Sequence, residues 1–518
     1  MKKKLMILFA ALLLLLGACG KDEKAGNAGK EIPKDNADEK VTFKGFGVKA
    51  PAATTDWNDM PFLQGLEDNV NVDIDWTNAT AQTYQEQVNL MFASNDLPDI
   101  FFSAWTLGAN DIVKYGSTGQ LIPLEDLIEK EAPNIKGFLD KNPDLKKMIT
   151  APDGHIYAIP QYDVSKGSRA NDAFFINKAW LDKLGLEVPT TTEEFKEVLK
   201  AFKGQDLNEN GKKDEIPFSF MYNNGIRGPH SLSGSFGVVG RNIGVEGGKV
   251  FYAPTKPEFK EYVKFMHELY AEGLIDQEAF THDVQVYDAK IQNETPILGA
   301  YFNWSNFAMF GKVDTDYVAV APLKGPKGDQ MWNINAGAFS FSGFSVTNAN
   351  KNPARAMKWM DQMYDPEIGL QMTLGPFDQN LKKNDDGTIE LIDAPEGVGY
   401  EEFRHKFTPG SYGVYGNLQD IRTKLIQSEG ASEKDALADL YGPYQPKEYY
   451  PNVMYSAEDA ERLSILQTDI DGYIKEMIPK FMIEGKVDEG WDAYIDQLKK
   501  MGLDELMELY QKYYDNFK

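Results

Sequence analysis

The sequence predicts an α/β protein with more than one lobe, on three observations. Strand-like and helix-like stretches alternate in βαβ rhythm from Val41 onward. The chain has 518 residues, more than one ordinary core accommodates. Hydrophobic residues make up 42% and aromatics 12%, which fills substantial cores and excludes a disordered chain.

The elements follow in order. "VTFKGFGV" from Val41 and "VNVDIDW" (Val70–Trp76) alternate apolar and polar residues, as half-buried strands do. A helix is predicted over about Thr80–Ala93, with Tyr84, Val88, Met91 and Phe92 on one face. "DIFFSAW" (Asp99–Trp105) is a short apolar run after Pro98, the pattern of a buried parallel strand. "DAFFIN" then opens a second part as a strand, followed by a helix that stops at Gly185. Thr190–Thr192 cap the next helix, with Glu193 and Glu194 in its first turn. Glu258–Gly273 reads as an amphipathic helix, and Thr295–Trp304 and Asp316–Leu323 as strands. From Pro353 the chain is largely helical, interrupted by an aromatic and glycine-rich insertion at about 375–455. Two helices with a turn at Gly502 close it.

Charge and cysteine usage narrow the function. The net charge of −25 disfavours nucleic acid and anionic membrane surfaces as partners, since both require a basic footprint. Five scattered histidines show no HExxH spacing, so a histidine-rich catalytic centre is not expected. The N-terminus, "MKKKLMILFAALLLLLGACG", has three lysines, a short apolar run and small residues before the sole cysteine, Cys19. That is a secretory signal, too short in its apolar run for the ~20 residues a spanning helix needs. Leu16-Gly17-Ala18-Cys19 resembles the lipobox of bacterial lipoproteins, which implies residues 1–18 as signal peptide and a lipid on Cys19. Without the signal the charge becomes −28, and no disulfide can form. Residues 19–40, rich in Gly, Lys, Asp and Glu and free of aromatics, read as a solvated tether.

Several longer stretches appear in a fixed order: "SNDLPDIFF" (Ser94–Phe102), "GQLIPLEDLIEKEAPNIKG" (Gly119–Gly137), "DGHIYAIP" (Asp153–Pro160) and "FFINKAWLDKLGLEVPTTTEEF" (Phe174–Phe195). "ELYAEGLIDQEAF" (Glu268–Phe280), "NPARAMKWMDQMYDPE" (Asn352–Glu367) and "WDAYIDQLKKMGLDELMELYQ" follow. Together these resemble family 1 extracellular solute-binding proteins of ABC transporters. The subgroup they look like is the large Gram-positive oligosaccharide-binding lipoproteins, relatives of alginate-oligosaccharide-binding proteins. The resemblance implies a two-lobed periplasmic-binding-protein-like fold with sugar in the cleft, crossing strands between the lobes, and a monomer that delivers ligand to ABC permease subunits at the cell membrane. It places 41–163 plus about 295–345 in the first lobe and 164–294 plus about 346–518 in the second. Crossovers are expected near Tyr157–Asp163 and around Ala300–Trp304. After Gly375 many relatives carry a "YGxEGxHY"-like stretch, where this chain has "LGPFDQNLKKNDDG", so no ligand contact is carried over there.

The stretch "DLNENGKKDEIP" (Asp206–Pro217) alternates oxygen-bearing side chains around a glycine, but its twelfth position is proline rather than a bidentate glutamate. In the subgroup a calcium loop of this pattern sits in the second lobe. The resemblance implies side-chain oxygens from Asp206, Asn208 and Asn210, the carbonyl of Lys212, and Asp214 and Glu215 in place of the missing carboxylate. Calcium is a hard cation that takes six to eight oxygens, and an all-oxygen donor set argues against zinc. The expected role is structural. The plain alternative is a polar Asx turn before the strand "IPFSFMY".

Sugars present apolar C–H faces and dense hydroxyls, and open α/β folds bind beyond the carboxyl ends of strands. That rule selects Trp105 and Trp304, which end predicted strands, and Trp57 in the loop after the first strand with Asp56 and Asn58 beside it. Trp332 is a fourth candidate, and the plain alternative for all four, favoured for Trp332, is a partly buried tryptophan filling a lobe edge. Tyr162, Asp163 and Arg169 flank the first crossover and either contact ligand or brace the hinge. Trp180, Trp359 and Trp491 fall on helix faces and read as core. The leading function is a non-enzymatic binding lipoprotein for an oligosaccharide. A peptide or other non-sugar ligand on the same fold, or a secreted glycoside hydrolase with two carboxylates ~5–10 Å apart, are the alternatives. The acidic charge favours a neutral sugar over a long polyanion.

Overall fold

The computed structural model describes residues 39–163, 165–170, 172–239, 243–333 and 338–518. The signal peptide, Cys19 and nearly all of the tether lie outside them. One compact unit holds Asp35–Lys518. No helix among the described residues is long and apolar enough to cross a membrane.

Two sheets organise the molecule. The first contains β1 (Val41–Val48), β2 (Val72–Ala79), β3 (Ile100–Phe102) and β4 (Ile159–Asp163). The second contains β5 (Ala173–Asn177) and β6 (Ile216–Phe218). A hairpin of β7 (Ile243–Glu246) and β8 (Lys249–Tyr252) leads on to β9 (Leu298–Asn303) and β10 (Tyr317–Ala319), which belong to the second sheet. The chain then returns to the first sheet as β11 (Ala338–Val346), and β12 (Leu381–Lys383) with β13 (Ile389–Leu391) form a separate hairpin. The strand orders are β2-β1-β3-β11-β4 and β10-β5-β9-β6.

β1 runs parallel to β2 from Val41↔Val72 to Val48↔Ala79, and parallel to β3 on its other side. A central parallel strand is covered on both faces, and the second half of β1 is buried throughout, whereas edge strand β2 keeps its alternation. The predicted helix signals hold in detail. Gly185 ends the helix Lys178–Leu184 in the left-handed region, which glycine adopts without steric penalty. Thr191 and Glu194 form a reciprocal capping box on the helix Thr192–Phe202. Gly502 turns the chain between the helices Val487–Lys500 and Leu503–Phe517.

The expected lobe boundaries need correction. β9 pairs with β5 and β6, and β10 pairs with β5, so 298–319 belongs to the second lobe, not the first. Conversely, the helices Pro353–Asp361 and Pro366–Leu374 place Met357, Trp359, Met360, Leu370 and Met372 in the core under the first sheet. The helix Glu429–Tyr441 and those after it pack into the second core. The chain therefore crosses between lobes three times: after β4, between β10 and β11, and between about 422 and 429. The first crossing lies where it was expected. The one expected around Ala300–Trp304 lies downstream of β10 instead, because short apolar strands carry no label for the sheet they join.

Candidate functional site

β1 to β4 share one direction in the first sheet, and β11 starts at their carboxyl ends. In the second sheet, β9 and β6 end beside the start of β5, through the pair Ala173↔Asn303. The carboxyl ends of both sets of strands thus adjoin the crossings, the position where α/β sheets bind ligands.

Trp105 follows β3 and is 55% exposed, among the most exposed large apolar side chains described. Its loop is fixed from below. Ser103 N donates to Gly343 O at 3.0 Å, Ser340 Oγ to Ala104 O at 2.8 Å, and Ala104 N to Tyr412 O at 3.4 Å. The Tyr412 ring, itself partly exposed, lies 6.1 Å from Trp105 at a tilt of 39°. Gln161 of β4 locks the Tyr412 segment by donating to Ser411 O and Gly413 O, both at 2.9 Å. Trp304 follows β9 and is partly exposed, with the Lys434 ammonium 3.6 Å from its ring centroid.

The other two candidate tryptophans are core, which corrects the expectation for Trp57 and, for Trp332, bears out the packing alternative over the ligand role. Trp57 is 1% exposed and packs edge-on against Trp76 and Phe102. Its ring lies over Gly47, where a Cβ would fall 2.2 Å from a ring carbon. Asp56 and Asn58 serve this packing: Asp56 caps the turn, and Asn58 bonds the β2 backbone at Trp76 through both ends of its amide. Trp332 is fully buried, stacked at 4.8 Å on Tyr441, and its indole N–H donates to Asp172 O. Neither leaves a face for ligand. Trp180, Trp359 and Trp491 are buried as expected.

At the first crossing, Tyr162 is half-buried against Phe138, and burial pushes its phenol pKa up. Asp163 accepts from Arg422 at 2.6 Å and from Ser165 N at 3.0 Å, tying the first crossing to the start of the third. Arg169 is exposed at the end of the short helix Lys166–Arg169, and its charge acts on Tyr162. Tyr449, 55% exposed, also acts on Tyr162. Tyr412 and Tyr449 are absent from the residues selected by sequence. Both lie in the aromatic, glycine-rich insertion, whose composition was the available signal.

The Asp206–Pro217 loop folds on its own side chains. Asp206 accepts from Gly211 N at 3.1 Å, Asn208 from Asn210 N at 3.1 Å, and Asn210 from Lys212 N at 2.8 Å. Glu209 and Gly211 are left-handed, at φ 60° and 78°. Lys212 is exposed, and its N–H donates to the Asn210 side chain. Asp214 accepts from the amides of Asn208 and Asn210. Glu215 is buried: one carboxylate oxygen accepts from Leu207 N and Asn208 N, while Oε2 has no hydrogen-bond partner. A buried carboxylate oxygen without a donor is costly, and a cation relieves it. Among the described residues no three acidic, histidine or cysteine side chains converge as a metal cluster. An ion here would need the two amide oxygens and the Lys212 carbonyl alongside the carboxylates, and that all-oxygen set suits calcium.

Two sheets with separate cores, three crossings between them and exposed aromatics at the strand ends define a two-lobed solute-binding protein. The chain belongs to the bacterial extracellular solute-binding protein family, which it matches over residues 35–369. It is 34% identical to the fructooligosaccharide ABC transporter substrate-binding protein FusA of Streptococcus pneumoniae, over 99% of this chain and 98% of FusA. The structure of FusA in complex with kestose superposes with a TM-score of 0.78 at 33% identity, covering 92% of this chain and 99% of FusA. An EF-hand mutant of FusA in complex with fructo-nystose matches equally well in fold. Lipoprotein LipO of Bacillus subtilis is 26% identical over 100% of this chain and 99% of its own. The alginate-binding protein AlgQ2, at 24% identity and a TM-score of 0.67, covers 92% of this chain and 98% of its own and shares the fold.

Proposed function

We propose that this protein captures a neutral oligosaccharide of the fructooligosaccharide class outside the cell and passes it, unaltered, to an ABC importer. The observation that carries this reading is the end-to-end likeness to FusA, a fructooligosaccharide-binding protein, at 34% identity. The exposed Trp105–Tyr412 pair and the partly exposed Trp304 supply platforms for the C–H faces of sugar rings, at the strand ends where the lobes meet. Tyr449 and Arg169, both exposed beside the first crossing, offer hydroxyl-binding groups. The net charge of −25 disfavours long polyanionic sugars. Ligand that contacts both lobes stabilises their closed arrangement, and the importer reads that arrangement.

Cys19 is the proposed lipid anchor at the outer face of the membrane, in keeping with the lipobox and with lipoprotein LipO among the relatives. The loop Asp206–Glu215 is the proposed calcium site: Asp206, Asn208, Asn210, Asp214 and Glu215 would hold the ion with the Lys212 carbonyl. Bound calcium would neutralise Glu215 and lock the loop. It has no part in binding sugar.

A thermal-shift panel tests the reading, with kestose and longer fructooligosaccharides set against oligogalacturonates, alginate oligomers and short peptides. Ligand at one hundred times its dissociation constant adds about 2.7 kcal/mol of stability. A shift with the fructooligosaccharides alone, and sugar recovered intact, is the expected result. A shift with peptides alone, or sugar returned cleaved, would refute it.

A further inference from the structure

Lys434 is a lysine in a place where a lysine is expensive. It lies on the helix Glu429–Tyr441 and is 8% exposed, and among the described residues no carboxylate forms an ion pair with it. Its ammonium donates to Ala170 O and to Trp304 O, the latter at 3.0 Å, and sits 3.6 Å from the centroid of the Trp304 ring. Two carbonyls and one ring face match its three N–H donors. Burying an unpaired ammonium costs several kcal/mol, whereas a leucine or methionine would fill the space without that cost. The approach is built in from the other side as well. A Cβ at Gly167 would lie 2.6 Å from the Lys434 Cβ, so only glycine lets the crossing pack this closely on the lysine stem.

Ala170 belongs to the first crossing between the lobes, and Trp304 to the end of β9. Lys434 therefore binds together the crossing, the strand end and one face of the indole. The residue before it, Glu433, accepts from Asn306 N and Phe307 N and holds the turn that follows Trp304. With the inner face of the ring taken by the ammonium, the partly exposed remainder is what a ligand can meet.

We propose that Lys434 is a positioning residue for the sugar site: it sets the orientation of the Trp304 ring through its ammonium, so that oligosaccharide affinity depends on the charge at position 434. The inference rests on the reading of Trp304 as a sugar platform. Burial brings the Lys434 pKa down to about 8. The charged groups that act on it are Glu433 of its own helix and Asp172 of the crossing, both of which favour the proton. Asp172 is itself engaged by the Ser231 hydroxyl. Lys166 of the short helix packed alongside is paired with Asp439, and Asp435 accepts from Gln427. The ammonium is thus charged below pH 8 and neutral above it, and the cation–π contact goes with the charge.

Calorimetric titration of kestose into the full-length protein in mild detergent tests this, using wild type, K434M, K434R, W304A and the K434M/W304A pair. With the Trp304 ring no longer held ready for the sugar, K434M is expected to weaken kestose binding about ten-fold. In the W304A background the same change has less than about a two-fold effect, because the ring it acts on is gone. Wild-type affinity falls as pH rises through 8, while K434R, charged throughout, stays level. K434M binding like wild type, or weakening W304A as much as it weakens wild type, would overturn the proposal. If K434M does not fold, the pH series on wild type and K434R decides, and a level wild-type profile sinks it. A wild type that binds no fructooligosaccharide at any pH fails the functional reading first, and this inference with it.

Discussion

Two tryptophans selected by one rule ended on opposite sides of the surface. Trp57 and Trp105 both follow strands of the first sheet, yet Trp57 is 1% exposed and Trp105 is 55% exposed. The difference was written in β1, where Gly45 and Gly47 leave room for the rings of Trp76 and Trp57. A glycine pair inside a strand marks a close approach to its face, and that signal outweighs position after a strand. W57A is expected to lower stability by ~3–5 kcal/mol in urea denaturation without altering the sugar affinity of the folded protein. A weakened affinity with unchanged stability would return Trp57 to the binding site. Glu67 belongs to the same cluster, accepting from Ile74 N at 3.2 Å and from the Trp76 indole at 3.3 Å. Burial pushes its pKa up to about 6 from an ordinary 4.5. The native state therefore holds this proton more tightly than the unfolded chain does. The resulting stabilisation is fully present below pH 4.5 and lost as pH rises through 6, an effect of about 2 kcal/mol. E67Q is neutral at every pH, so its melting temperature should not decline between pH 4.5 and 7 on this account. An identical decline in both proteins would show that another group carries it.

At the scale of elements, the helix signals were legible because caps act locally. Gly185, the Thr191–Glu194 box and Gly502 each did what their residue types dictate. The Asp206–Pro217 loop was legible as a polar turn for the same reason, since its Asx-type hydrogen bonds span only two to five residues. The unpartnered Oε2 of buried Glu215 was not legible, because burial is a property of the packed loop. Chelation is expected to lower the melting temperature and calcium to restore it, the ion adding about 2.7 kcal/mol of stability at one hundred times its dissociation constant. E215Q should lose most of that response while binding sugar as wild type does. An E215Q melting curve that responds to calcium as fully as wild type would move the ion elsewhere. The Trp105–Tyr412 pair joins elements some 300 residues apart in the chain. No local pattern reports such a pairing, so the sequence pointed to one ring and to the composition around the other.

For the whole molecule, the α/β class and the first crossing followed from alternation and order along the chain, while the division into lobes did not. β9 is buried throughout, as β3 is, and nothing in its six residues says which sheet they complete. Long-range pairing decided it, and moved 298–319 to the second lobe and the helices of 353–374 to the first. With three crossings between the lobes, closure has to be a concerted hinge rather than a swing on one strand. Ligand should therefore reduce the radius of gyration in solution scattering as well as raise stability.

The most direct test is a calorimetric titration of kestose into wild type, W105A and W304A. The account predicts saturable binding to wild type and a loss of about ten-fold, or ~1.4 kcal/mol, in each variant, with folding intact. Wild-type affinity retained in both variants would contradict it, because the sugar would then be held somewhere other than at these strand ends.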